Sequence, residues 1–162
     1  MRVSVMLALM LITWPLSVFG AGRNADHLER IAEVLDDFHA AASESDLDRY
    51  IGHFADEGVF LGTDASERWT RDEFLAFCKP YFNEGRGWSY QPKERRITVL
   101  RGGRHAFFDE LLWNESYGTC RSTGSLVRRG GRWLLVQYSL SFPVPNEVAK
   151  DVIGTIRKHE GN

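Results

Sequence analysis

The 162-residue chain is poor in cysteine, with Cys78 and Cys120 only, and poor in proline, with five. Two cysteines allow one bridge at most, so this is not a disulfide-stapled fold. The histidines, His27, His39, His53, His105 and His159, are scattered. They form no His-Glu-x-x-His pattern, and no paired-cysteine spacing accompanies them, so no metal is expected. Phosphate-cradling and dinucleotide-binding glycine patterns are missing too, so no cofactor is expected. The formal net charge is only −2. Such a chain exerts no global pull on a polyanion, and no nucleic-acid partner is expected. There is no sustained heptad pattern and no apolar run long enough for a comfortable membrane span.

Aromatic residues, by contrast, are abundant: 5 Trp, 10 Phe and 5 Tyr. They favour a dense core with an aromatic-lined cavity. The N-terminus is a separate object. Arg2 gives a positive start, Val5 through Ile12 is unbroken apolar sequence, and Pro15, Ser17, Gly20, Ala21 and Gly22 close it. Charge, apolar stretch and small-residue exit make a secretory leader over residues 1–20, cleaved after Gly20 or Gly22. The protein is therefore expected to be exported, periplasmic or secreted. Retention of the same segment is the alternative, and is the only membrane contact expected.

The spacing of Leu28, Ile31, Val34, Leu35, Phe38 and Ala42 predicts a helix from about residue 25 to 43. Ser43-Glu-Ser-Asp46 breaks it and caps a short second helix over 47–54. A strand at 59–61 follows. Thr70-Arg-Asp-Glu73 is a capping-box pattern opening a third helix, with Phe74, Phe77, Cys78, Tyr81 and Phe82 on one side. From Trp88 the texture changes to β-rich runs over about 90–100, 105–114, 119–128 and 132–142. Gly102-Gly103 and Gly130-Gly131 mark hairpin turns between them. A terminal amphipathic helix is expected over 146–158, with Val148, Val152, Ile153 and Ile156 on one side. Helices first and a meander afterwards mean α+β: N-terminal helices packed on a curved antiparallel sheet.

Three segments resemble the SnoaL-like domain family of the nuclear transport factor two-like superfamily. They are Val59-Phe-Leu-Gly-Thr-Asp-Ala-Ser-Glu-Arg-Trp-Thr70 running into Phe74 and Tyr81-Phe82; Phe107-Phe-Asp-Glu-Leu-Leu112; and Tyr117-Gly-Thr-Cys-Arg-Ser-Thr-Gly124 with Gly131-Arg-Trp133 and Gln137-Tyr138. The likeness covers about residues 27–146, leaving 147–162 as a helical tail. It implies a cone-shaped barrel, frequent homodimerisation through the sheet, and a pocket that relatives use for cyclisation, isomerisation, dehydration or binding alone. The tyrosine-plus-protonated-acid pair of the isomerase relatives has no counterpart here. Nor has the Asp-Arg-Asp set of the epoxide-hydrolase relatives.

Strand parity selects candidate residues. Tight turns at the glycine pairs set Arg96 beside Asp109 and Arg95 beside Glu110; a tight turn at Ser116-Tyr117 sets Asp109 beside Gly124, and Gly124 falls beside Gln137. One face then carries Asp109, Leu111, Cys120, Ser122, Gly124, Leu126, Trp133, Leu135 and Gln137. The other carries Ile97, Val99, Phe108, Glu110, Leu112, Arg121, Val136, Tyr138 and Leu140, apolar enough to suggest a partner sheet. A bulge would swap these faces beyond it. Asp109 is accordingly the expected pocket carboxylate and general base; a structural pairing with Arg96 is the other reading. Trp69, Trp88, Tyr90, Cys120 and Gln137 are the expected ligand contacts, with Phe60 a further wall; core packing is the alternative for the aromatics. Arg68 could clamp a ligand carboxylate, or fix its own loop through Asp64 or Glu67. Cys78 and Cys120 read as small buried thiols, a bridge between them being the alternative. Arg101, Arg104, Arg128, Arg129 and Arg132 fall at hairpin tips, where solvated turns or a local anionic contact fit. Three classes stay open: a binder of a small, largely apolar molecule, a cofactor-free isomerase, cyclase or dehydratase, and a dimeric interaction module.

Overall fold

The computed structural model describes residues 18–161. Most of the expected leader, residues 1–17, lies outside the described residues. The first helix, α1, spans Val18–Ser43. Ile31, Leu35, Phe38 and Ala42 recur along it at helical spacing and are at most 2% exposed. Ser45 adopts a left-handed conformation (φ 59°) that turns the chain, and the Asp46 side chain caps α2 (Leu47–Gly52) by accepting from the Arg49 N–H. Strands β1 (Phe54–Leu61) and β2 (Arg68–Thr70) then lead into α3 (Arg71–Asn83). The capping box opening α3 is complete: Thr70 accepts from the Glu73 N–H, and Glu73 accepts from the Thr70 N–H.

The meander is β3 (Gln91–Val99), β4 (His105–Asn114), β5 (Gly118–Arg129) and β6 (Arg132–Ser141). The six strands form one open sheet in the order β2-β1-β6-β5-β4-β3. The sheet is antiparallel except where β1 runs parallel to β6. Between β1 and β6 the chain runs through β2, α3 and the strands β3 to β5, a connection long enough to bring the two side by side in parallel, while the meander itself is antiparallel as expected. Irregularities at Phe54/Val59, Pro92/Glu94 and Ser125/Leu126 bend the sheet around the helices.

The core sits between α1–α3 and the concave face. Phe38 stacks on Tyr50 at 4.4 Å, and Phe60 stacks on Phe74 at 3.9 Å between ring centroids. Burying each such ring contributes roughly 1.5–3 kcal/mol. The last helix, α4 (Ala149–Glu160), has its expected amphipathic pattern but buries no residue; Ile153 and Ile156 are about half exposed. Among the described residues no helix is long and apolar enough to cross a membrane.

Candidate functional site

A cavity of about 210 Å³ opens between the helices and the concave face. Its deep wall is made by buried Phe38, His39, Tyr50, Phe60, Phe74 and Tyr138, and its rim by the partly exposed Trp69, Phe77, Trp88, Tyr90, Tyr117 and Phe142. The Trp88 indole donates to the Tyr50 hydroxyl at 3.2 Å, fixing one rim side chain to the floor. The volume is at the small end for ligand pockets, and its walls are mainly apolar rings with few polar groups, as such pockets usually are.

Polar chemistry concentrates behind one wall. Glu110 on β4 is 1% exposed, and three donors converge on its carboxylate. The His39 Nε2 lies 2.7 Å from Oε1, the Ser122 hydroxyl donates to Oε1 at 2.8 Å, and the Arg95 Nε donates to Oε2 at 2.7 Å. Arg95 also donates to Asp36 at 2.7 Å and to the Ala32 carbonyl at 3.2 Å, so the sheet is tied to α1. A continuous run of polar contacts therefore leads from Asp36 through Arg95 and Glu110 to His39 at the cavity.

Burial alone would raise the Glu110 pKa, but the His39 hydrogen bond and charge, with Arg95 beside them, hold it below the ordinary glutamate value. An ionised carboxylate only accepts hydrogen bonds, so His39 must carry its proton on Nε2. Its Nδ1, with no hydrogen-bond partner among the described residues, then bears the lone pair whenever the ring is neutral. An imidazole set this way can take and return a proton. Burial, reinforced by the Glu110 charge, pushes the Tyr138 hydroxyl well above its ordinary pKa; the neighbouring Ser122 hydroxyl works the other way. Tyr138 is therefore a neutral group on the cavity wall.

The placement expected for Asp109 is corrected by the observed register. Arg96 does pair with Asp109 and Arg95 with Glu110. The β4–β5 turn, however, is one residue longer than a tight hairpin: Asn114 faces Gly118, so Gly124 pairs with Phe108 and Asp109 with Thr123. Asp109 thus points from the convex face, exposed, in a charged hollow with Glu94, Arg96 and Arg121. Gln137 moves for a second reason. Ser125 pairs with Gln137 while Leu126 pairs with Leu135, so Val136 is an extra residue in β6. Beyond it Tyr138 and Leu140 face inward and Gln137 is exposed. The apolar set assigned to a second face, Ile97, Val99, Phe108, Leu112, Tyr138 and Leu140, is consequently part of the core and its partly buried margin.

Trp69, Trp88 and Tyr90 line the cavity. Cys120 is fully buried on the same side of the sheet but lies outside the cavity lining, its thiol 3.8 Å from the Gly118 carbonyl. Cys78 and Cys120 are both free, and burial pushes the Cys78 thiol up to about 12. Arg68 forms no ion pair among the described residues, while Glu67 accepts from the Asp64 N–H. His39, Glu110, Arg95 and Ser122 are the residues that sequence reasoning passed over as a set. A signal existed for His39: it stands four residues after Leu35 and one after Phe38, on the margin of the α1 apolar stripe. Among the described residues no three His, Cys, Asp or Glu side chains are grouped to hold a metal ion.

Solved structures share this architecture. A protein of unknown function from Mycobacterium tuberculosis superposes with a TM-score of 0.67 at 12% identity, covering 83% of this chain and 82% of that one. A putative scytalone dehydratase from Novosphingobium aromaticivorans gives 0.64 at 12% identity, over 76% and 89%. A nuclear transport factor two-like protein of unknown function from Pseudomonas putida gives 0.63 at 19% identity, over 77% and 92%. At such identities the likeness speaks for the fold alone. Among curated proteins none matches this sequence. The profile of the SnoaL-like domain, however, matches residues 31–145, from the first core residue of α1 to the end of the sheet, and the chain belongs to that family.

Proposed function

We propose that this domain binds a small, largely apolar molecule in the cavity and moves a proton on it with His39, in a cofactor-free isomerisation, cyclisation or dehydration. The observation that carries this reading is the His39–Glu110 hydrogen bond of 2.7 Å, with His39 on the cavity wall and Glu110 buried behind it. A buried carboxylate is costly to maintain, and a cavity that only had to hold an apolar ligand would do without one. With Nε2 held by Glu110, a proton accepted at Nδ1 leaves an imidazolium stabilised by the carboxylate. Trp69, Trp88 and Tyr90 supply flat apolar walls for the ligand.

A second reading, binding without turnover, is favoured by Arg95: a carboxylate already neutralised by a guanidinium has less charge to lend to His39. The same proposal has the chain exported through its N-terminal segment and paired as a homodimer through the convex face, where Phe107 and Trp113 are nearly half exposed.

The test uses 2-naphthol, an apolar fluorescent phenol whose emission shifts on losing its proton. The chain is expected to bind it and to enhance naphtholate emission. His39→Asn keeps a donor for Glu110 and removes the base, so emission should revert to naphthol and affinity fall about tenfold. A folded His39→Asn protein with unchanged affinity and emission would remove His39 from the site. Loss of affinity with no naphtholate in the wild type would select binding without proton transfer.

A further inference from the structure

Several arginines of this domain are held by acids: Arg49, Arg71, Arg86, Arg95, Arg96 and Arg129 all form ion pairs. Arg101, Arg104, Arg128 and Arg132 form none among the described residues, and the fold puts these four side by side. Arg101 and Arg104 flank the β3–β4 turn, and Arg128 and Arg132 flank the β5–β6 turn. The Arg128 N–H donates to the Arg104 carbonyl at 2.8 Å, which joins the two tips. Three acids near them form no ion pair with them: Glu57 is taken by Arg129, Asp37 by Arg49, and Glu33 lines the same cleft as Arg132 without pairing to it. In a chain of net charge −2, a local concentration of unpaired positive charge marks a surface for an external anion.

The path of α1 says what kind of anion. His27 packs edge-on against Trp133 at 5.6 Å between rings, and its Nε2 lies 2.9 Å from where a Cβ on Gly103 would stand. His27 therefore sits over both arginine-bearing tips. The helix begins nine residues earlier, at Val18, and so runs roughly 13 Å beyond them. Gly22, Asn24, Ala25 and Asp26 on that extension are exposed. The apolar stretch Val5–Ile12 ends six residue steps before Val18, within roughly 20 Å at full extension. Leu100, beside Arg101, is 48% exposed and adds an apolar contact at the tip.

We propose that this arginine end docks on an anionic membrane surface, with the Val5–Ile12 segment as the second anchor in the uncleaved chain. One apolar signal gives marginal membrane binding, and a basic patch beside it makes attachment stable. The arrangement leaves the cavity accessible: Tyr117 on the rim belongs to the β4–β5 turn, at the opposite end of the strands from the arginine tips.

Flotation of the full-length chain with vesicles of phosphatidylcholine, with and without phosphatidylglycerol, tests this. Wild type should prefer the phosphatidylglycerol vesicles, and added salt should erase the preference. The R101Q/R104Q/R132Q variant should lose roughly a hundredfold in affinity for them and nothing for phosphatidylcholine alone. R101K/R104K/R132K, which keeps the charge, should bind as wild type does; its failure alongside the Gln variant would show damage to the tips rather than lost charge and would overturn the proposal. Equal binding to both vesicle types would do the same. So would retention on heparin without a phosphatidylglycerol preference, which assigns the patch to a soluble polyanion.

Discussion

Asp109 and Glu110 are neighbours in one strand, yet the two faces of the sheet give them opposite surroundings. On the concave side Glu110 is out of water and saturated with donors from α1, β3 and β5. On the convex side Asp109 stands exposed among Glu94, Arg96 and Arg121, with water to satisfy it. The side-chain chemistry of the two acids is nearly the same. What differs is that the helices cover one face only, and burial makes each polar contact there obligatory. Chemistry in this domain is therefore decided by parity along β4 before it is decided by residue type.

The sharpest way to break the comparison is to remove each acid in turn. Glu110→Gln leaves the Arg95 guanidinium with the Asp36 carboxylate alone and sets an amide NH2 among groups that donate. The expected loss is about 3–5 kcal/mol in urea unfolding. Asp109→Asn should leave the unfolding midpoint where it is. Equal effects of the two substitutions would mean that the faces are not electrostatically distinct.

A smaller effect is expected at Gly124, where concave-face packing is closest. A Cβ there would stand 2.4 Å from the Gln137 carbonyl oxygen and 2.5 Å from the Phe108 ring. Backbone on one side and a buried ring on the other leave little room to yield, so Gly124→Ala should cost about 1–3 kcal/mol. Thr123→Ala, one residue away on the convex face, is the control and should be close to neutral.

The mildest test uses pH on the unmodified protein. Glu110 has its folded-state pKa lowered, so its contribution to stability is complete above the ordinary glutamate value of 4.5 and drains away as pH falls through the lower folded value. Wild type should therefore lose stability on acidification below that region, and Glu110→Gln should lose less over the same range. Parallel acid limbs for the two proteins would place the titrating group elsewhere.

The elements were legible in the sequence because their signals are local. The α1 stripe, the Thr70–Glu73 box and the glycine pairs each act over a few residues, and the Gly102-Gly103 turn even fixed the Arg95–Glu110 pairing. The site was harder because it depends on adding registers across three turns. One added residue near Ser116 reversed the sense of β4, and Val136 reversed the end of β6. Apolar content carried the missing information: Phe108, Leu112, Tyr138 and Leu140 fall inside only if Glu110 does too. His39 belongs to α1, far away in sequence, and only tertiary packing brings it to Glu110.

The extra residue at Val136 also sets how this gene can vary. Exchanging it for another side chain alters one position. Deleting it would join Leu135 directly to Gln137 and regularise the strand, because Ser125 and Leu126 already pair with those two residues; Tyr138 and Leu140 would stay inward and only the local bend would be lost. A loss of one residue is thus absorbed at this spot, whereas elsewhere in β6 every residue from Arg132 to Ser141 has its partner on β5 and a deletion would shift the faces beyond it.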